Sequence, residues 1–193
     1  GELYTGFGVE TVTVESGATR CGIDKVGAVV GRGVLLDVAR QRGVDHLAHG
    51  ERITPDDLDA ALDAGGEQTA PGDIVLIRTG LLGQFLAGNR KVYEHGSPGL
   101  HPECARWFHT RDIAAYAIDG QNPDPFPPAD DSVFLPFHLL ALRDLGMIQG
   151  QNWHLDALAA ACAHDGRSSF LLSASPEPIT GASGGPVTPV AVR

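Results

Sequence analysis

Three apolar runs punctuate the chain: VVGRGVLLDVA (Val29–Ala39), GDIVLIRTG (Gly72–Gly80) and IAAYAID (Ile113–Asp119). Each is short and rich in β-branched or aliphatic residues. Glycines open and close the second, and an acid ends the third. Such runs predict strands buried on both faces. A fourth run, SSFLLSAS, also predicts a strand, and the glycine-rich GASGGPVTPVAV predicts a turn leading into a last extended segment.

Between the strands the period changes. TPDDLDAALDAG predicts a helix with Thr54 as N-cap, Pro55 in the first turn, Asp56 and Asp57 at the positive end, and Gly65 and Gly66 as the stop. PECARWFHTRD predicts a shorter helix, and Phe137–Leu145 another, stopped by Gly146. HLDALAAACAHDG is the strongest helical pattern, with Leu155, Leu158, Ala159 and Cys162 on one face and Gly166 at its end. Residues 1–25 read as loop and short strand, and GQNPDPFPPADDS as a Pro/Asp loop. Strands alternating with helices predict an α/β domain.

Composition narrows the setting. At 193 residues, 42% apolar and 20% charged, the chain suits one domain with a sizeable core. The formal net charge of −10 argues against the basic face that a nucleic-acid partner would want, so none is expected. No apolar run approaches the roughly 18 residues of a membrane span, so no membrane partner is expected either. Cys21, Cys104 and Cys162 are odd in number and widely spaced, which argues against a disulfide framework and fits a reducing cytoplasm.

Several motifs fail on context. Gly181-Ala-Ser183-Gly-Gly185 has nucleophile-elbow spacing, but Pro186 and Pro189 follow where a helix must start, and no His or Asp comes after Ser183. His46 and His49 form H-x-x-H among Arg42, Asp45, Glu51 and Arg52, and read as a solvated turn. His95 and His101 flank a turn-rich GSPGL, and His154 and His164 read as exposed helix positions. His138 stands at the front of FHLLALRDLGM, and an amide, Gln151, follows thirteen residues later in a turn-like GQN. On local features alone His138 reads as a core histidine.

GRGVLLDVARQRG, ITPDDLDAAL, GDIVLIRTG, PGL, the Trp107 helix, AIDGQNPDPFP, FHLLALRDLGM, WHLDALAAACAHDGR and GGPVTPVAV occur in this order. In this respect the chain resembles the cyclase family, related to bacterial kynurenine formamidase and isatin hydrolase. The resemblance implies a swivelling β/β/α fold assembled as homodimers or homotetramers. It implies a metal-dependent hydrolase that opens an amide, formamide, lactam or lactone in a small-molecule substrate, with water activated by zinc or manganese. N-formylkynurenine, from tryptophan catabolism, is the best-known substrate of the family.

Residue by residue, the family's later metal histidine matches His138 and its later metal carboxylate matches Gln151, a departure that removes a negative charge. Substrate contacts would come from Thr79, Gly80 and Asp119, with a supporting or structural role also open for Asp119 and for Asp124. Phe126, Phe134 and Trp107 could line an aromatic pocket or belong to the core. The main metal cluster of the family, histidine–aspartate–histidine, lies in close relatives just before a segment like GELYTGF, together with the general-base histidine. The expectation is therefore one cyclase-family domain over residues 1–193, shortened at its N-terminus. Two other outcomes stay open: a non-catalytic member that binds a ligand or partner, and unrelated chemistry in a pocket far from His138.

Overall fold

The apolar runs become the centre of one mixed sheet in the computed structural model, which describes residues 1–128 and 133–193. In chain order the elements begin with a small hairpin, β1 (Val12–Thr13) and β2 (Gly17–Ala18), followed by β3 (Val30–Asp37) and α1 (Val38–Gln41). Next come β4 (Arg52–Ile53), α2 (Pro55–Ala64), β5 (Ile74–Arg78), α3 (Leu81–Leu86), β6 (Gly99–Leu100) and α4 (Glu103–Thr110). The remainder comprises β7 (Ala115–Ile118), α5 (Pro136–His138), β8 (Ile148–Gly150), α6 (Asp156–Asp165), β9 (Ser169–Ser173) and β10 (Val190–Val192). The large sheet runs β10-β9-β3-β5-β7-β8, with β3, β5, β7 and β8 parallel and β9 and β10 antiparallel to their neighbours.

Alternation along the parallel strands sorts their side chains into two cores. Val34, Leu36, Val75, Ile77, Tyr116 and Ile118 face α2 and α4, where Leu58, Leu62, Cys104 and Phe108 cover them. Leu35, Ile74, Leu76, Ala115 and Ala117 face the other way, under Trp153, Leu155, Ala159 and Cys162. Coverage on both faces is why the runs read as continuously apolar. Trp107, one of the candidate pocket aromatics, belongs to the first core at 4% exposure. Its indole N–H donates to Asp59 (2.8 Å). Phe126 and Phe134 are exposed.

Most of the expected elements are present. Thr54 caps α2 with a reciprocal capping box to Asp57, and Gly166 ends α6 in a left-handed conformation. Cys104 and Cys162 are buried and all three cysteines are free. Three differences have physical causes. The first strand stops at Asp37 rather than Ala39, because the Asp37 carboxylate accepts the Arg40 N–H and starts a helical turn there. The helix expected over Phe137–Leu145 begins as α5 and continues as a π-helical turn over Leu139–Asp144. Strand β8 was not expected, since Ile-Gln-Gly is too short and mixed to carry a pattern. Of the Pro/Asp loop, residues 129–132 lie outside the described residues. No helix among the described residues is long and apolar enough to cross a membrane.

Phe137 anchors α5 in the first core. Its ring meets Tyr116 at 5.5 Å and Phe108 at 6.1 Å, both edge-on, and the residue is fully buried. Replacing Phe137 by Ala is expected to cost about 3–5 kcal/mol of stability, read as a lower urea midpoint with an unchanged slope.

Candidate functional site

Parallel pairing places the carboxyl ends of β3, β5, β7 and β8 along one edge of the sheet, where α/β proteins bind ligands. The residues that follow those ends are Asp37 at the close of β3, Thr79 and Gly80 after β5, Asp119 after β7, and Gln151 after β8. Four of the five sequence-selected site residues thus stand at this edge. The fifth, His138, closes α5.

Asp119 is 1% exposed. Its carboxylate accepts the Thr79 N–H (2.8 Å), the Thr79 hydroxyl (2.7 Å) and the Gly80 N–H (2.7 Å). Gly80 has φ +82°, and a Cβ there would lie 2.2 Å from the Asp45 carbonyl, so only glycine fits this turn. Burial pushes the Asp119 carboxyl up to about 6, against the opposing pull of its three hydrogen bonds and of Arg78. Thr79, Gly80 and Asp119 therefore come together as a clamp that ties the ends of β5 and β7.

His138 and Gln151 come together as well. The His138 Nδ1 lies 2.5 Å from Asp124 Oδ2, and its Nε2 lies 3.3 Å from the Gln151 amide nitrogen. Asp124 is 1% exposed, and it also accepts the backbone N–H of Phe137 (2.7 Å) and of His138 (3.2 Å). One carboxylate thus fixes the first turn of α5 and the ring it carries. Asp124 is held in turn by its loop: the Asp124 N–H donates to the Asn122 side chain (3.1 Å), and the Leu100 N–H donates to the Pro123 carbonyl (2.6 Å). The glycine of PGL has its reason here, since a Cβ on Gly99 would stand 2.3 Å from the Asp124 carbonyl carbon. On the other side, the Asn152 N–H donates to the Gly120 carbonyl (2.9 Å) and the Trp153 N–H to the Ile118 carbonyl (3.2 Å). These bonds hold Gln151 beside the end of β7. They also join the two groups of site residues through backbone, without a direct side-chain bond between them.

Sequence reasoning left the Asp124–His138 pairing unresolved, because fourteen positions separate the partners. It also passed over Tyr93 and Ser97, whose hydroxyls are buried without a hydrogen-bond partner among the described residues. Burial, with Asp119 nearby, pushes the Tyr93 hydroxyl up to about 12, so it stays protonated. The H-x-x-H pair does not converge: His46 Nδ1 meets the Leu47 carbonyl (3.0 Å), while His49 Nε2 meets the Val92 carbonyl (2.6 Å).

As a metal shell the donors are an imidazole nitrogen and an amide that can present its oxygen on rotation. Among the described residues no group of three or more His, Cys, Asp and Glu could hold a metal ion. The two donors fit part of a shell, which ordinarily takes about three protein ligands. Two cavities lie elsewhere. One of about 520 Å³ is lined by Asp37, Arg40, Ala61, Gly65, Ala159 and Cys162 among others. Another of about 340 Å³ is lined by Asp37, Arg78 and Asp156. Arg78 is matched there by Asp37 (2.9 Å) and Asp156 (2.7 Å), and burial holds the Cys162 thiol above its ordinary value, in its unreactive form.

The sequence profile of the family described as "Putative cyclase" matches residues 7–125. A crystal structure of a novel cyclase superposes with a TM-score of 0.89 at 35% identity, covering 100% of this chain and 64% of that one. Isatin hydrolase A from Ralstonia solanacearum superposes at 0.69 with 23% identity, over 89% of this chain and 64% of that chain. A potential metal-dependent hydrolase with cyclase activity superposes at 0.60 with 18% identity, over 96% and 70%. No curated protein gives a significant sequence match. The chain belongs to the cyclase family and has its α/β fold, and it spans a little under two thirds of the first two of these neighbours.

The Asp119 carboxyl is raised on folding, so its neutral form favours the folded state. That contribution is complete below about pH 4 and is lost as pH rises through about 6, by roughly 2–3 kcal/mol at ~1.4 kcal/mol per unit. Asp119→Asn, fixed as neutral, is expected to show no such loss. Urea unfolding of both proteins from pH 4 to 7 checks this through the change in their difference.

Proposed function

We propose that this chain forms one wall of a hydrolase site that opens an amide, formamide, lactam or lactone bond in a small molecule. The observation that carries the reading is His138, backed by Asp124 and facing Gln151 at the carboxyl edge of the parallel sheet. Family membership and the fold shared with isatin hydrolase support the reaction class.

His138 Nε2 and the Gln151 amide oxygen would hold a divalent cation, zinc or manganese, as part of a shell that ordinarily takes about three protein ligands. Such a cation polarises the scissile carbonyl and acidifies a water. The chain's own part is orientation. Asp124 holds the imidazole ring, and the Asp119 clamp shapes the turn at Thr79 and Gly80 where substrate would lie. The proposal includes a homodimer or homotetramer in the cytoplasm.

A second reading is a non-catalytic member that binds a ligand. One feature favours it: Gln151 is a neutral amide already bonded to His138, where a carboxylate would add charge to a cation site.

The test uses the full natural polypeptide that contains this chain. Calorimetry with Zn²⁺ and Mn²⁺ and hydrolysis of isatin and formanilide are measured together. His138→Ala is expected to weaken cation binding by at least roughly tenfold, and Gln151→Glu to strengthen it through the added charge. A full polypeptide that binds neither cation and hydrolyses neither compound sinks the hydrolase reading in favour of the second.

A further inference from the structure

We propose that Asp124 is a positioning residue that fixes His138 in a single tautomer, with the proton on Nδ1 and the Nε2 lone pair turned toward Gln151. An ionised carboxylate only accepts hydrogen bonds, so the 2.5 Å contact between Asp124 Oδ2 and His138 Nδ1 needs a proton on Nδ1. The same carboxylate accepts two backbone N–H groups of α5, at 2.7 and 3.2 Å, so it is held in place facing the ring. With the proton on Nδ1, the other ring nitrogen, Nε2, is the one that turns toward Gln151. The group facing it, 3.3 Å away, is the NH₂ end of the Gln151 amide, which donates. Each donor thus meets an acceptor along Asp124–His138–Gln151.

The arrangement also defines how the site opens. Gln151 closes the Nε2 lone pair. An electrophile that takes that lone pair displaces the amide N–H, and half a turn about the last side-chain bond brings the amide oxygen to the same point. Asp124 keeps the ring from turning with it. Asp124 acts through His138 and touches no reacting atom.

The catalytic meaning of this tautomer rests on the hydrolase reading, but the tautomer itself does not. Long-range ¹⁵N–¹H correlation on the full polypeptide, as purified and with ¹⁵N-labelled histidine, reads the protonated ring nitrogen directly. The expected result at neutral pH is a His138 ring protonated on Nδ1 and bare on Nε2.

In Asp124→Asn the amide oxygen keeps the Phe137 N–H while its NH₂ faces Nδ1. The proton is then expected to move to Nε2, with Gln151 turning its oxygen toward it. A wild-type ring protonated on Nε2, or on both nitrogens, overturns the proposal. So does a folded Asp124→Asn protein that keeps the Nδ1 proton. A silent hydrolysis assay leaves this result untouched, so the two readings fail separately.

Discussion

Parallel pairing is the constraint on which the rest depends. A parallel strand cannot return by a tight hairpin, so each crossover must pass over a face of the sheet. The crossovers from β3 to β5 and from β5 to β7 carry α2 and α4, and these helices bury Val34, Leu36, Val75, Ile77, Tyr116 and Ile118. The crossover from β7 to β8 carries α5 and its π-helical continuation, with Phe137 and Ala141 in the same core. All these strands end at one edge, so the segments leaving them share it. The site is a consequence of topology before it is a set of residues.

At that edge two carboxylates do different work. Asp119 is almost wholly buried and, among the described residues, bonds to the turn after β5. Its raised titration shows that these bonds do not fully offset the loss of water. Asp124 is as deeply buried, but it reaches outward to an imidazole whose side chain is 18% exposed. One acid joins two strands of the frame, and the other joins the frame to a side chain that can meet a ligand.

The sheet and the longer helices were legible because their signals are local. The β-branched runs, the Thr54 capping box and the glycine at 166 each act within a few residues. Strand β8 was not legible, since it exists only because Tyr116 and Ala117 on β7 offer it a register against Gln149 and Gly150. The π-helical turn after His138 was hidden for a similar reason: an apolar run specifies burial and leaves the hydrogen-bond spacing open. His138 and Gln151 entered as candidates through family resemblance. Periodicity could not pair His138 with Asp124, because the contact is made by a loop returning across Gly99.

The two partners of the imidazole are unequal in what they support. Among the described residues Asp124 has three acceptor contacts, two of them to backbone, so removing it would leave buried N–H groups unpaired and loosen α5. Losing the His138 ring leaves both backbone contacts in place and removes a side chain that is partly open to solvent. Gln151 is more loosely held still, with one contact of 3.3 Å through a rotatable amide. Rigidity therefore falls from Asp124 to His138 to Gln151. That gradient suits a site in which the ring must hold its direction while the group opposite gives way. A carboxylate at position 151 would instead set an acceptor against the Nε2 lone pair, so the amide, which can donate through its nitrogen and accept through its oxygen, is the group that suits a ring held with its proton on Nδ1.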